Sequence, residues 1–220
     1  MVFNLQKVKD AYLEHWENIY KTKSPNEVSW TQQFPSISAS FFETCALTKK
    51  SKLVDIGCGE DGMVPYWLEN GFENITALDL SNTALTKLKA RIMQYAHHVN
   101  FVNTSILNYQ PHNKIDFWHD RAVFHFLTDD KAINAYVNLV NSFVTQYVCI
   151  ATFASDGPEK CSGLPIKRYN SEELTNLFAQ NFELVQSQTS THITPFNTKQ
   201  SFVHCLFKRK SKLLSNDATI

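Results

Sequence analysis

Paired cysteines, an excess of one charge and long apolar runs are all missing from this sequence of 220 residues. Its cysteines, Cys45, Cys58, Cys149, Cys161 and Cys205, are odd in number, scattered, and form no C-x-x-C pair. That spacing argues against a disulfide framework and a zinc site, and predicts a reducing compartment. No His/Asp spacing resembles a dedicated ligand set, so no metal is expected. Lysine plus arginine and aspartate plus glutamate number 21 each, which gives no electrostatic case for nucleic acid as the main partner. No stretch approaches the ~18 apolar residues of a membrane span. The first ten residues, "MVFNLQKVKD", lack the apolar run of a signal peptide, so a cytoplasmic location is expected. What is present is ordinary for a soluble globular chain: 43% apolar and 19% charged residues.

From Lys52 onward, short apolar runs alternate with helical periodicity. "KLVDIG" (52–57), "NITALDL" (74–80), "VNFVN" (99–103), "KIDFWHD" (114–120) and "YVCIATF" (147–153) read as strands. Between them lie three helical stretches. The first, "MVPYWLEN" (63–70), stops at Gly71. The second is capped by Ser81 and carries Leu85, Leu88, Ile92 and Tyr95 as one apolar stripe. The third is capped by Thr128 and buries Ile133, Tyr136, Val137, Val140 and Val144. A fourth helix, capped by Ser171, runs to Gln180. "FELVQSQ" (182–188) and "SFVHCLFKR" (201–209) have no helix between them and are predicted to pair antiparallel. The expected fold is α/β: a three-layer, doubly wound, mostly parallel seven-stranded sheet with an antiparallel edge hairpin. Helical stretches at about 4–20 and 36–49 predict an N-terminal helical cap. The expected organisation is a single domain over 1–210, with cap 1–51 and core 52–210, followed by a tail at 211–220, where the basic run "KRKSK" (208–212) ends.

The loop after the first strand carries the chemistry. Gly57, Gly59 and Gly62 match G-x-G-x-x-G, which by itself suits a dinucleotide as well as other adenosine cofactors. The acids discriminate. A pyrophosphate sits on backbone N–H groups at a helix N-terminus, and Glu60 and Asp61 in that turn would repel it. Asp55 ahead of the turn suits a ligand with an ammonium and a sulfonium. Asp79, 22 residues after Gly57, stands where an acid accepts hydrogen bonds from ribose hydroxyls. An NAD(P)-dependent oxidoreductase is the alternative that the glycine spacing permits.

"LVDIGCGEDG" followed by "ITALDLS" resembles motifs I and II of the class I S-adenosylmethionine (SAM)-dependent methyltransferases. "FWHDRAVFHFLTD" (117–129) is similar to their motif IV and its following loop. "HWENIYKTKSPNEVSW" and "TFASDGPEKCSGLPIKRYNSEEL" resemble a bacterial-type subgroup that includes small-molecule and protein-lysine methyltransferases, and the likeness spans about residues 12–208. The resemblance implies SAM as cofactor. It places Asp55, Gly57, Cys58 and Gly59 around the methionine part, and Asp79 and Leu80 at ribose and adenine. Ser105 and Ile106 stand where the family often has an adenine-binding aspartate. Trp16, Tyr20 and Trp30 are implied to close over the cofactor from the cap. Without a catalytic acceptor, the same chain would be a SAM-binding scaffold.

Methyl transfer is an in-line displacement that needs alignment and exclusion of water more than covalent help. An ammonium, hydroxyl or thiol acceptor must lose a proton, and His119, Asp120 and His125 are the candidates beside the transfer centre. Phe117, Trp118, Phe124 and Phe126 read mainly as core. The long connection 154–170 reads as a lid facing a small-molecule or protein-lysine acceptor. The absence of an N/D-P-P-Y/F/W sequence after the fourth strand again disfavours nucleic acid.

Overall fold

The computed structural model describes residues 2–32, 34–60 and 62–211, with side chains from Ala11 onward. Asp61 and the tail from Lys212 lie outside the described residues. Nine strands and six α-helices are described: α1 (Val2–Thr22), α2 (Ser36–Glu43), β1 (Lys52–Ile56), α3 (Val64–Glu69), β2 (Asn74–Asp79), α4 (Asn82–Ile92), β3 (Val99–Asn103), β4 (Ile115–Arg121), α5 (Asp130–Phe143), β5 (Val144–Phe153), β6 (Lys160–Cys161), β7 (Leu164–Pro165), α6 (Ser171–Phe178), β8 (Phe182–Ile193) and β9 (Lys199–Arg209).

Seven strands form one sheet in the order β3-β2-β1-β4-β5-β9-β8. β1 to β5 run parallel, while β9 pairs antiparallel with β5 and with β8. The central parallel strands β1, β4 and β5 are buried on both faces, as their apolar runs require, while the edge strand β3 is partly open. One face packs Val54, Ile56, Trp118, Val148 and Phe207 against α5 and α6. The other packs Leu53, Ala77, Phe117 and Cys149 against α2, α3 and α4. The fold is the expected three-layer one. The order reverses between β1 and β4, so the carboxyl ends of β1, β2 and β4 flank the switch point where α/β sheets bind ligands.

Local chemistry moves several boundaries. Asp129, not Thr128, caps α5, its carboxylate accepting from the Ala132 amide 3.0 Å away. Asn170, not Ser171, caps α6, where a capping box with Glu173 satisfies two end groups at once. Ser81 caps α4 as expected. α4 ends at Ile92 and continues as a 3-10 turn that leaves Tyr95 exposed rather than on the stripe. α2 stops at Glu43, well short of residue 49. The hairpin strands are longer than expected because turn residues 194–198 are tied together by Thr194 and Thr198, so pairing continues from Ile193 to Lys199.

The crossover from β3 to β4 holds only a short 3-10 turn at Ile106–Asn108. The sheet face left beside it is a groove of about 690 Å³ lined by Thr76, Asn100, Val102 and Tyr109, away from the glycine loop. None of the described helices is long and apolar enough to cross a membrane.

Candidate active site

The glycine loop leaves β1 at the switch point with Gly57 at φ 62° and Gly59 at φ 60°, a region that only glycine enters without strain. Both lack of side chain and backbone angle are used. A Cβ on Gly57 would stand 2.1 Å from Val123 Cγ2, and one on Gly59 would stand 2.9 Å from the Tyr20 hydroxyl. Val123 follows β4 through Ala122, itself at φ 68°. Tyr20 comes from α1. The loop is therefore covered by two side chains from different elements.

Asp79 ends β2 and faces this loop. Its Oδ2 accepts from the Gly59 amide at 2.9 Å and its Oδ1 from the Ser81 amide at 2.8 Å. Burial nevertheless pushes its pKa up to about 6, because desolvation outweighs those two bonds. Asn103, in register with Asp79, donates its side-chain N–H to the Asp79 and Leu80 carbonyls and so fixes the backbone where β2 ends. Ser105 caps the 3-10 turn, its hydroxyl oxygen accepting from the Leu107 amide, and the Ile106 side chain is core. Cys58 is buried, and its thiol is held neutral by desolvation and by the nearby Asp79 and Asp55 carboxylates.

Asp55, expected beside the cofactor, has both carboxylate oxygens engaged by the protein. Its Oδ1 lies 2.6 Å from His119 Nδ1, and its Oδ2 accepts from the Met63 amide at 3.0 Å. A carboxylate only accepts, so Nδ1 of His119 is the donor, and Nε2 of His119 meets the Ser38 hydroxyl at 2.9 Å. Asp55 and His119 are each 2% exposed. Together they tie β1, β4, α2 and the far end of the glycine loop. Glu60 likewise turns away from the loop to an ion pair with Lys87 on α4 at 3.3 Å, so its repulsion of phosphate carries less weight than the sequence alone implied.

The other two expected acid–base groups are also buried and engaged by neighbouring groups. Asp120 is fully buried and accepts from the Val123 and Phe124 amides and the Tyr136 hydroxyl. It shapes the turn that carries Val123. His125 is fully buried, and desolvation, aided by Arg121, pushes its pKa down to about 3. Its Nδ1 lies 3.4 Å from the Phe153 amide, leaving a neutral ring enclosed by Phe126 and Phe153. Neither His119, Asp120 nor His125 offers a free base at the surface of the cleft. Sequence reading favoured them because motif IV places them at a strand end, but alternation sends His119 and Asp120 into opposite layers of core.

The cap brings aromatic residues over the carboxyl ends of β4 and β5. The Trp16 ring centroid lies 5.4 Å from that of Trp30 and 5.3 Å from that of Phe126, and Tyr20 lies 6.4 Å from Trp30. Arg121 donates from Nη2 to the Trp30 carbonyl at 2.9 Å. Segment 154–170 is anchored at both ends, by the Ala154 amide to the Ser201 carbonyl and by the Tyr169 amide to the Phe153 carbonyl. It reaches α1 where Ser162 Oγ lies 3.3 Å from His15 Nε2. Cys161 in this segment is buried, and burial pushes its thiol up to about 12, so it is no nucleophile at neutral pH. Sequence reasoning missed Glu17, Ser38, Asn103 and Val123. Glu17 had a visible signal, since it stands between the two aromatic residues of "HWENIY".

With this geometry in view, residues 53–143 match the family model for a methyltransferase domain. The chain carries a methyltransferase domain. Such a domain draws its methyl group from S-adenosyl-L-methionine, which makes SAM the cofactor and removes the oxidoreductase reading. The fold is shared with solved methyltransferases of low identity. A SAM-dependent methyltransferase from Anabaena variabilis is 13% identical, with 92% of this chain and 95% of that one covered at a TM-score of 0.73. The 1,6-didemethyltoxoflavin-N1-methyltransferase of Burkholderia thailandensis, solved with 1,6-didemethyltoxoflavin and S-adenosylhomocysteine, is 17% identical, with 93% and 88% covered at 0.68. A protein described for converting a disulfide bond into a thioacetal group in echinomycin biosynthesis is 18% identical, with 90% and 93% covered at 0.70. No curated protein matches this sequence.

The residues of the methyltransferase domain fit the cofactor. Two glycines at positive φ present bare backbone, what covers them is side chain rather than main chain, and a buried carboxylate stands beside them.

Proposed function

We propose that this methyltransferase acts on a small planar acceptor, and that it does so by positioning rather than by side-chain base catalysis. The observation that carries this reading is the aromatic enclosure: Trp16, Trp30 and Phe126 meet over the end of β4, and α1 touches the 154–170 segment at Ser162. Flat aromatic walls suit a planar ligand by stacking. A site covered by such a cluster suits a small molecule better than a lysine presented on a protein surface. The Burkholderia protein, solved with the heterocycle 1,6-didemethyltoxoflavin, supports the same class.

In this reading residues 1–210 act as one unit, with 1–51 as cap and 52–210 as core. Gly57, Cys58 and Gly59 receive the methionine part through their backbone. Asp79 accepts from the ribose hydroxyls, and Leu80, Ser105 and the Ile106 backbone border adenine. Trp16, Tyr20 and Trp30 exclude water. Asp55, His119 and Asp120 hold the loops in place, and His125 packs beneath the acceptor side. SAM supplies a methyl group already activated by its sulfonium. The residues supply orientation and a dry chamber, which is what an in-line displacement needs. An acceptor whose nucleophilic atom has a free lone pair near neutrality requires no protein base.

The test is incubation with radiolabelled SAM and, separately, a metabolite extract and a protein extract. Label in small aromatic compounds supports the reading. Label confined to protein overturns it.

A further inference from the structure

Among the described side chains of helix α1, residues 11–22, little apolar surface is fully buried. Among residues 11–22 only Ile19 is buried, at 6% exposure, whereas α5 buries Ile133, Tyr136, Val137 and Val140. A helical stretch with so little fully buried apolar surface depends on polar contacts to stay in place. Glu17 provides those contacts. Its Oε2 accepts from the Ser81 hydroxyl at 2.7 Å and the Thr83 amide at 3.2 Å, and its Oε1 accepts from the Thr83 hydroxyl at 2.6 Å. Lys21, one turn on, lies 3.3 Å from Oε1. The carboxylate therefore sits on the first turn of α4, where free amides and the helix dipole favour a negative charge. Charge-assisted bonds of this kind are about twice as strong as neutral ones.

The position of this contact matters as much as its strength. Ser81 donates its amide to Asp79 and its hydroxyl to Glu17, so the expected ribose acid and the cap share one residue. Tyr20, on the next turn of α1, stands over Gly59, and Trp16, next to Glu17, meets Phe126 on the acceptor side. Moving α1 away would uncover both halves of the cleft together. Burial pushes the Glu17 carboxyl up, but the bonds from Thr83 and Ser81 outweigh it and hold its pKa at about 2, so the group is ionised throughout the physiological range.

We propose that Glu17 is the positioning residue that latches α1 over the bound cofactor, and that its contact with Ser81 and Thr83 must open for SAM to enter and S-adenosylhomocysteine to leave. The inference rests on the methyltransferase reading for its ligand, but the latch itself is a property of the protein alone. Glu17 acts through the cap and touches no reacting atom. Its removal should shorten the lifetime of the closed state without altering the sheet.

The experiment compares wild type, Glu17→Ala and Thr83→Val by two measurements. The first is hydrogen exchange of α1 amides in the ligand-free protein. The second is the rate of S-adenosylhomocysteine release, followed by tryptophan fluorescence after displacement with excess SAM. Glu17→Ala should exchange α1 amides at least tenfold faster and release S-adenosylhomocysteine at least tenfold faster, with β1 and β4 protection unchanged. Thr83→Val should do the same to a smaller degree, and the double variant should add nothing to Glu17→Ala. Unchanged exchange and release in a folded Glu17→Ala protein overturn the latch. If Glu17→Ala does not fold, Thr83→Val decides in the same two measurements. Wild type that binds no S-adenosylhomocysteine overturns the methyltransferase reading instead, while α1 exchange still reports on the latch.

Discussion

His119 Nδ1 and Asp55 Oδ1 stand 2.6 Å apart, and the pair joins β4 to β1 directly beneath the glycine loop. Both side chains are sealed from water, with Ser38 closing the second ring nitrogen and the Met63 amide the second carboxylate oxygen. An aspartate in the strand before the loop thus shapes the cofactor turn from below. Removing one partner of such a pair leaves the other buried and uncompensated, which costs about 3–5 kcal/mol. His119→Ala and Asp55→Ala should each lose stability of that order in urea unfolding at neutral pH. The double variant should lose less than the two single losses combined, because the second removal deletes an already orphaned group. Additive losses would mean the two side chains do not act as a pair.

His125 makes a different prediction. Its folded-state pKa is lowered to about 3, below the 6.5 of an exposed histidine, by burial first and by Arg121 second. The unfolded chain therefore binds a proton that the folded one refuses between pH 6.5 and about 3. Stability contributed by the neutral ring is complete above 6.5 and is lost as pH falls through that window. His125→Leu should show a smaller loss of stability than wild type between pH 7 and pH 5. Methyl transfer at neutral pH should persist within about threefold, since a general base contributes on the order of 10²–10⁴. A hundredfold fall in kcat in a folded His125→Leu protein would restore the histidine to catalysis.

How the sequence foretold some of this and not the rest follows from physical range. The central parallel strands declared themselves because Val54, Ile56, Val148 and Ile150 are buried on one face and Leu53 and Cys149 on the other, and burial leaves a local apolar pattern. Asp79 was legible for a similar reason: the end of β2 in an α/β sheet is a fixed place. The partners of Asp55, His119 and Glu17 lie 64, 64 and 64 or more residues away in the chain, and no local pattern encodes them. Polar residues at strand ends look functional in sequence whether they face the cleft or the core. Only the pleat direction separates the two, and it sent His119 under α2 and Asp120 toward Tyr136.

Gly57 and Val123 form a steric pair that can be tested on its own. Alanine at 57 meets Val123 Cγ2 at 2.1 Å and must also hold φ 62°. The backbone part of the cost is about 1–2 kcal/mol for a residue with a Cβ in the left-handed region. Gly57→Ala should therefore lower the melting temperature by more than that backbone part alone. Adding Val123→Ala should return only the clash, leaving a residual deficit of about 1–2 kcal/mol. Full recovery would show that the positive φ is not required. If Gly57 receives the cofactor as proposed, affinity should stay low in both variants, because the methyl group at 57 still stands on the bare backbone offered to the ligand.

In the proposed reading Asp79 binds the ribose, and it then supplies the pH dependence of cofactor binding. Burial raises its pKa to about 6 from an ordinary 3.8, so the ligand-free protein takes up a proton here as pH falls through 6. For folding alone the sign is that of a raised acid: the folded state holds this proton more tightly, and stability rises as pH falls from about 6 toward 3.8. For binding the sign is opposite. In that reading ribose hydroxyls would donate to the carboxylate, and SAM carries positive charge, so the ionised form is the one expected to bind. SAM affinity measured by calorimetry should be constant above pH 7 and decline as pH falls below about 6. Glu17, held at about 2, stays ionised over that range and does not contribute. Asp79→Asn keeps the shape and removes the charge. It should bind at least tenfold more weakly at pH 7.5, in line with about 1.5–3 kcal/mol for a charge-assisted bond, and should lose the pH dependence. A variant that binds as wild type does, or that keeps the decline below pH 6, would move the titrating group away from Asp79.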